Sequence, residues 1–410
     1  MRVLLLLFLF TFSYSITLEE AVQLALKRNI ESIKSELDLK KVEERIREVK
    51  GSVLPTVSFS ARYTRWDPNY ISSFVPENKY ILTLSLNQPI FDKSVWDALR
   101  LAKRSRELQE AVIKDVKTSL KAEVEKLYWA VLLKREVLKE KEESLTYWEN
   151  YFKLVEEKYK EGIVPKYEFL RARAQLRQAR ADLIRAKSDY TVSLNSLKNL
   201  IGVDEDITVE GTFGKGTLKI EDPRETLIKN NTSLLVLEKT LKVQRENVEL
   251  KKADYYPKLS LFANYNVENI KDFKNGSIQE EVRKGYNLGV SLDFTIYDGQ
   301  KRSARVMQEK LEEMKVREEI EFRKRELLNQ LDSLLSQLKA LEEELLARED
   351  TLLASEESLR NATERYREGV GSQVELLDAR KAYEEARLSY LDSVYVYNST
   401  IADLKALLGF

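Results

Sequence analysis

Two segments of the chain, Glu157-Lys-Tyr-Lys-Glu-Gly162 and Glu364-Arg-Tyr-Arg-Glu-Gly369, are near copies of one another. The stretches that begin with them align without a gap as far as Gly202 and Gly409, and about a third of the aligned positions are identical. Each copy is a charged, helix-forming segment that ends in Gly, a residue that commonly follows the last turn of a helix. The chain therefore contains a duplicated structural unit.

The duplication extends through most of the chain. Residues 29–63 match residues 231–265, and residues 80–92 match residues 286–298. The sequence thus predicts two repeats of about 200 residues, each with a helix, two strands and two further helices. The predicted boundaries are 16–202 for the first repeat, 203–222 for a Gly-rich linker in an equatorial region, and 223–410 for the second repeat.

Long stretches without helix breakers predict long helices. Gly is absent from Ser52 to Glu161 and from Gln300 to Glu368, and no Pro follows Pro257. Leu, Val and aromatic residues recur there at steps of three, four and seven, which is typical of coiled-coil seams. At 1.5 Å per residue the two longest helices would each be about 100 Å long. Helices are predicted near 17–52, 93–160, 166–201, 223–255, 300–367 and 373–408.

Four other segments alternate between apolar and polar residues, with the period of two that is typical of β-strands. Val57, Phe59 and Ala61 alternate with Ser58 and Ser60. The other three segments follow the same pattern, which places each apolar set on one face. Strands are predicted near 55–66, 79–91, 257–268 and 285–297.

The alternating strands have two interpretations, a soluble sheet that packs on a core and a lipid-facing barrel. Apart from Phe262, the second face carries small and polar residues, which suits a water-filled lumen. Aromatic residues at the strand ends also favour the barrel, because such residues are enriched at membrane interfaces. The predicted membrane-interface aromatics are Tyr63, Trp66, Tyr80, Phe91, Tyr265, Tyr286 and Tyr297.

The composition argues against several classes of function. The 410 residues include 68 Lys+Arg and 68 Asp+Glu, but no Cys and no His. A balanced charge is atypical of nucleic-acid binders, which need surplus cations. Without Cys and His the chain lacks the usual zinc ligands, Cys-His pairs and Ser-His-Asp triads. We therefore predict no enzymatic activity, no metal, no other cofactor and no nucleic-acid partner.

The first residues predict export from the cytoplasm. Arg2 precedes an apolar run from Val3 to Phe12, and the small residues Ser13 and Ser15 follow. This run is shorter than the roughly 20 apolar residues that a membrane-spanning helix needs. It has the parts of a secretory signal peptide, predicted at 1–15 with a cut before Ile16.

Four strands cannot close a barrel, which needs about eight, so we expect several chains to combine their strands. The order of elements also indicates a family. A helix is followed by a strand that begins after Leu54-Pro55, and the next strand ends in Ile90-Phe91-Asp92. After it come a long helix, a Tyr-x-x-Gly turn and a helix with the motif Leu-x-Ala. The second repeat has the same order, with Ile296-Tyr297-Asp298-Gly299. This duplicated order resembles that of the TolC-type outer-membrane efflux proteins over essentially the whole mature chain.

The resemblance implies a fold that is mainly α with a β-barrel portion. Three chains would form an α-helical barrel of long coiled-coil helices and share a 12-stranded transmembrane β-barrel in outer-membrane lipid. The function implied is a passive exit duct of a tripartite efflux or type I secretion system, with its helical tunnel in the periplasm. Its partners would be a periplasmic adaptor (membrane fusion) protein and an inner-membrane transporter. The exported substrate is left open.

The two predicted helix turns are the candidate gate. Gly162 and Gly369 can adopt a positive φ and reverse the chain there. Ile163, Val164 and Val370 are expected to be exposed, and the resemblance makes the turns contacts for the adaptor. These predicted helix-tip contacts are Gly162, Ile163, Val164, Pro165, Gly369, Val370 and Gly371.

Two carboxylates after the second turn, Glu375 and Asp378, lie three residues apart on one helical face. In a single chain this is ordinarily a solvated face, but three chains would form two stacked acidic rings. The resemblance implies an aperture constriction at these positions and a gate latch at Glu168 and Tyr366. Gly371 stands where a basic latch residue is usual in the family.

Two other interpretations remain open at this stage. A periplasmic coiled-coil scaffold or adaptor without a pore would account for the heptads but not for the duplicated strand pairs. An enzyme would have to work with carboxylates, Lys and Tyr alone, and the sequence leaves no compact domain to hold such a site.

Overall fold

The computed structural model describes residues 14–274 and 277–410, and it is mainly α-helical with a sheet portion, as predicted. The predicted signal peptide falls largely on residues 1–13, which lie outside the described residues. The helices are α1 (Leu18–Arg28), α2 (Ile30–Gly51), α3 (Lys93–Lys160), α4 (Lys166–Ile201), α5 (Pro223–Asn230), α6 (Thr232–Lys252), α7 (Lys301–Arg367) and α8 (Gln373–Leu407). The strands are β1 (Tyr14–Ile16), β2 (Thr56–Arg65), β3 (Asn78–Phe91), β4 (Ile207–Val209), β5 (Lys258–Lys274) and β6 (Ser277–Asp293).

The chain folds into two compact units. Of the described residues, the first contains 14–36, 112–234 and 322–410, and the second contains 37–111, 235–274 and 277–321. Among the described residues, no helix combines the length and the apolar content that a membrane-spanning helix requires.

Each repeat begins with two helices where the sequence predicted one, near 17–52 and near 223–255. Asn29 is the C-cap residue after α1, and Asn231 is the C-cap residue after α5. The Asn29 side chain accepts a hydrogen bond from the Glu31 N–H (2.8 Å), and Asn231 accepts one from the Leu234 N–H (2.9 Å). An Asn side chain that binds these first amides starts a new helix, so it divides the predicted helix in two.

The apolar core of the first unit follows the predicted heptad seams. Val124 and Val131 of α3 pack with Leu197 and Ile201 of α4, and all four are fully buried. A second cluster joins α7 to α8 through Leu327, Leu331, Leu404 and Leu407. These contacts bury the seams of the long helices, whose opposite faces carry charged residues.

Sequence analysis did not anticipate a small parallel sheet in the first unit. Strand β1 pairs with β4, and Ile16 lies opposite Val209. The Ile16 carbonyl accepts hydrogen bonds from the Glu210 N–H and the Tyr128 hydroxyl, both at 3.0 Å. Three-residue strands are too short for an alternating pattern to reveal them.

The second unit holds a four-stranded antiparallel sheet in the order β2-β3-β5-β6. Its edge strands are β2 and β6, so one edge of each lacks a partner strand within the described chain. Strand β6 ends at Asp293 opposite Lys258, the first residue of β5. The prediction of a strand as far as 297 is therefore wrong, because residues 294–297 have no strand to pair with.

The register places most of the apolar residues of the four strands on one face. Phe59 lies opposite Leu84, Leu84 opposite Tyr265, and Tyr265 opposite Tyr286. Directly opposite residues share a face, so the apolar set continues across the sheet. We call this the apolar face and the other the polar face. The apolar residues of this face include Val57, Phe59, Ala61, Tyr63, Tyr80, Leu82, Leu84, Leu86, Leu259, Leu261, Ala263, Tyr265, Val267, Tyr286, Leu288, Val290 and Leu292. Gln88 and Lys284 also lie on it.

The apolar face is the more exposed of the two. On β3, Leu82 and Leu84 are exposed, whereas Thr83 and Ser85 of the polar face are half-buried. Leu288 and Leu292 of β6 remain 68% and 67% exposed. A soluble sheet would cover these side chains with a core, but none of the hydrophobic clusters formed by the described residues includes them.

Phe262, an exception to the alternation, has a local explanation. It lies on the polar face directly opposite Gly289. A Cβ added to Gly289 would be 2.8 Å from the Phe262 ring. The ring therefore fills the space that a side chain on Gly289 would occupy.

Candidate functional site

The α3–α4 and α7–α8 turns have the same backbone geometry. Gly162 has φ 74° and Gly369 has φ 80°, so the predicted positive φ is confirmed. In the first turn the N–H groups of residues 162 and 163 bind the carbonyls of Tyr159 and Lys158. In the second, those of residues 369 and 370 bind the carbonyls of Tyr366 and Arg365. Both turns are Schellman motifs, which satisfy the last carbonyls of the helix.

The apolar side chains at the turns differ in exposure. Ile163 is 65% exposed and Val370 is 67% exposed. Val164 was expected to be exposed as well, but it is half-buried and packs on the cluster around Trp148 and Val155. The prediction is wrong for Val164 because its side chain packs on this cluster just before Pro165, the N-cap residue of α4.

Gly371 stands at the position where the resemblance leads us to expect a basic latch residue. Its surroundings leave little room for a side chain. A Cβ at this position would lie 3.0 Å from the Cβ of Arg365 and from the backbone nitrogen of Tyr366. Its own N–H binds the Arg365 carbonyl at 2.9 Å. Gly371 therefore lets the second turn pack tightly on the end of α7.

A buried polar and aromatic cluster lies beneath the turns. The Gln373 amide donates a hydrogen bond to the Tyr151 hydroxyl at 2.8 Å, and both residues are buried. The Tyr151 ring lies 5.9 Å from the Tyr366 ring, and Tyr147 stacks on Tyr151 at 6.3 Å. Burial raises the pKa of Tyr151 and of Tyr366, so both hydroxyls remain protonated at neutral pH. This cluster joins α3, α7 and α8.

The two predicted latch residues are placed differently. Tyr366 is buried, and its hydroxyl has no hydrogen-bond partner among the described residues. The Glu168 carboxylate accepts a hydrogen bond from Tyr167 at 3.3 Å, while its backbone carbonyl accepts one from Gln373 at 3.5 Å. No hydrogen bond links Glu168 to Tyr366 within the described chain.

Glu375 and Asp378 lie on one exposed face at the start of α8. The N–H of Glu375 binds the Ser372 hydroxyl at 3.1 Å, and its carboxylate pairs with Arg365 at 3.2 Å. Asp378 has no cation within 4.0 Å among the described residues. It lines a groove of about 500 Å³ together with Arg171 and Lys381.

A buried ionic cluster between α3 and α8 was missed by sequence analysis. Arg380 pairs with Glu384 at 2.9 Å, lies 3.9 Å from Glu140, and covers the Tyr147 ring at 4.6 Å. Burial raises the pKa of Glu140, and the attraction of Arg380 offsets this only in part. Arg380 and Glu384 have an ordinary i,i+4 spacing, and nothing in that pattern distinguishes a buried pair from an exposed one.

The predicted interface aromatics include two pairs on the apolar face. Tyr63 lies opposite Tyr80, with ring centroids 5.4 Å apart, and Tyr265 lies opposite Tyr286. Tyr265 is paired with Leu84, four residues from Tyr80. The remaining three lie elsewhere: Trp66 stacks on Tyr70 in the β2–β3 loop, Phe91 ends β3, and Tyr297 follows β6.

The offset between the tyrosine pairs has a geometric consequence. Four residues correspond to about 13 Å along a strand, and the spacings from β2 to β6 add to about 14 Å. A line from Tyr63 to Tyr286, the outermost of the four tyrosines, is therefore inclined by about 43° to the hydrogen-bond rows, within the strand tilt of transmembrane barrels. In a barrel tilted by this angle in the same sense, Tyr63 and Tyr286 would lie at one depth.

The fold and the paired turns define a class of outer-membrane channel proteins, and the comparisons agree. A family model described as "Outer membrane efflux protein" matches residues 21–203 and 224–410. The chain belongs to the outer membrane efflux protein family.

Relatives and solved structures of this family resemble the chain. The alkaline protease secretion protein AprF of Pseudomonas aeruginosa is 23% identical over 264 residues, which are 62% of this chain and 54% of AprF. The chain thus matches about half the length of this relative. The outer membrane protein TolC of Escherichia coli is 22% identical over 96% of this chain and 82% of its own. A crystal structure of CusC has a TM-score of 0.80 at 16% identity, covering 97% of this chain and 93% of CusC.

These comparisons establish the class and its location. The chain is an outer-membrane protein with a periplasmic helical part, and its family consists of channel proteins and not of enzymes. Among residues 14–274 and 277–410, no group of three carboxylates is arranged to hold a metal ion.

Proposed function

We propose that the protein is the exit duct of a tripartite efflux or type I secretion system. Three chains form a passive channel with a shared 12-stranded barrel and a helical tunnel. A periplasmic adaptor protein and an inner-membrane transporter deliver the substrate, which leaves without a chemical step.

The exposed apolar face of the sheet carries this proposal. Burial of apolar surface is worth about 25 cal/mol per Å², so a protein does not leave such a continuous face in water. Lipid would cover the apolar face, and the small residues of the polar face would line a water-filled lumen. A coiled-coil scaffold without a pore would need another protein to cover the apolar face.

The open sheet edges support the sharing of one barrel. Unpaired backbone groups at β2 and β6 would cost several kcal/mol each in lipid. Pairing β6 of one chain with β2 of the next removes every open edge when the ring closes. Three chains of four strands give 12 strands, an even number within the range of such barrels.

The geometry of the turns supports a gate at the periplasmic end. The exposed Ile163 and Val370 offer apolar contacts to the adaptor, beside the glycines that form the turns. Glu375 and Asp378 share an exposed face, so three chains would present two acidic rings. Glu168 and Tyr366 are the proposed latch residues, although no hydrogen bond links the two within the described chain.

Bilayer recordings test the proposed duct. Wild-type protein should form channels, and the Glu375→Ala, Asp378→Ala double variant should lose cation selectivity and multivalent-cation block, because six acidic groups leave the aperture. Glu357→Ala, an exposed carboxylate of α7, is the control and should behave as wild type. Absence of conductance would contradict the duct, and unchanged selectivity and block in the double variant would contradict the acidic aperture.

A further inference from the structure

A band of charged side chains crosses the polar face near the end of the sheet that is away from the helices. Arg62 lies opposite Ile81, Ile81 opposite Glu268, and Glu268 opposite Arg283, so these four residues form one row. Farther from the helices, the charged side chains that the structure describes on the same face are Lys79, Glu281 and Asp272.

The polar face has no other charge until the helix end of the sheet. Between the row of Arg62 and the opposed pair Lys258 and Asp293 at the helix end, the polar face carries only uncharged residues. Arg62 therefore stands at the inner boundary of the charged band. The uncharged residues between are Thr56, Ser58, Ser60, Thr83, Ser85, Asn87, Ser260, Phe262, Asn264, Asn266, Gly285, Asn287, Gly289 and Ser291.

The charges of the band are paired except for Arg62. Lys79 binds Glu268 at 3.4 Å. Arg283 binds Asp272 at 2.9 Å and Glu281 at 3.6 Å. Within the described part of the chain, Arg62 is exposed and has no carboxylate within 4.0 Å. Among the charged residues named here, Arg62 is therefore the cation that pairs with none of the three carboxylates.

We infer that Arg62 determines ion selectivity in the outer part of the duct and favours the passage of anions. This inference rests on the proposed function, in which the polar face lines the lumen. Three copies of Arg62 would then form a ring of positive charge around the pore. Low-dielectric walls focus the field of such a ring on passing ions, as rings of Arg or Lys do in anion pores.

Arg65 provides a matched control on the same strand. It lies three residues from Arg62 and therefore on the opposite, apolar side of β2, where its guanidinium binds Glu77 at 3.4 Å. Replacing either Arg by Gln removes one charge per chain. Only the replacement of Arg62 should change the potential inside the lumen.

The test is the reversal potential of single channels in a bilayer under a KCl gradient at about 0.1 M salt. Arg62→Gln should shift the reversal potential towards cation selectivity, Arg62→Glu should shift it further, and Arg62→Lys should preserve the wild-type value. The shift should shrink near 1 M salt, where the Debye length falls from about 10 Å to about 3 Å. Arg65→Gln should leave the reversal potential unchanged.

The possible failures can be told apart. Channels of normal conductance in which Arg62→Gln and Arg65→Gln both keep the wild-type reversal potential would overturn the role of Arg62 and leave the duct intact. A neighbouring chain that neutralises Arg62 would give this result. Wild-type protein that forms no channels would overturn the duct itself, and the inference with it.

Discussion

At the scale of single residues, one Asn per repeat connects the first helices to the end of the last helix. The Asn29 amide donates to the Leu200 carbonyl at 3.0 Å, and the Asn231 amide donates to the Leu407 carbonyl at 2.7 Å. Each Asn also caps the following helix with its side-chain oxygen. One buried side chain thus satisfies backbone groups from two distant parts of each repeat.

We expect Asn231→Ala to lower the free energy of unfolding by about 2–4 kcal/mol, because it removes a helix cap and leaves the buried Leu407 carbonyl without its partner. Denaturant unfolding in detergent measures the effect. Asn361→Ala makes the same chemical change on an exposed face of α7 and should cost less than about 0.5 kcal/mol. Equal losses in the two variants would show that the Asn231 contacts do not stabilise the fold.

Glu140 predicts a pH dependence of stability. Burial raises its pKa in the folded state above the ordinary value of 4.5. Between pH 4.5 and the folded pKa, the folded state therefore binds more protons than the unfolded state. The Glu140 carboxyl therefore lowers the free energy of unfolding as pH rises above 4.5, and the loss is complete above the folded pKa. We expect Glu140→Gln to remove this cost.

The apparent melting temperature measures this prediction. Glu140→Gln should equal wild type below pH 4.5 and exceed it at pH 7, whereas Glu142→Gln, at an exposed position of α3, should follow wild type throughout. A Glu140→Gln variant that is less stable at pH 7 would mean that the attraction of Arg380 outweighs the cost of burial.

At the scale of elements, the structure confirms a mainly α-helical fold with a sheet portion, but some boundaries depend on contacts outside the pattern. The end of β6 depends on where β5 begins, and a single strand does not contain that information. The division of the predicted first helix depends on whether Asn29 is exposed or bonded to a distant carbonyl. The exposure of Val164 depends in the same way on the packing of the turn against α3.

The two faces of β2 give a prediction for that strand. The chain has no Cys, so single cysteines can be introduced without removing others. Ser60→Cys should react with a charged, membrane-impermeant thiol reagent in intact outer membranes, because the polar face contacts water in the lumen. Phe59→Cys should be protected by lipid and react only after denaturation. Equal reactivity in intact membranes would contradict the lipid-facing apolar face.

At the scale of the whole molecule, the duplication explains why one chain supplies four strands and two helical turns. The duplicated motifs are sufficient to predict the family from sequence. The candidate site is less predictable, because the exposure of Glu375, the burial of Tyr366 and the free charge of Arg62 follow from tertiary contacts. How the chains combine is likewise a property of several copies, and it is the central claim of the account.

The most direct measurement of that claim is the native mass of the mature protein after detergent extraction from the outer-membrane fraction. We predict three chains per particle, because β2 and β6 each need a partner strand and the apolar face needs lipid. A monomer or dimer that is soluble without detergent would contradict the shared barrel. In that case another protein surface would cover the apolar face, and the scaffold without a pore would be the better account.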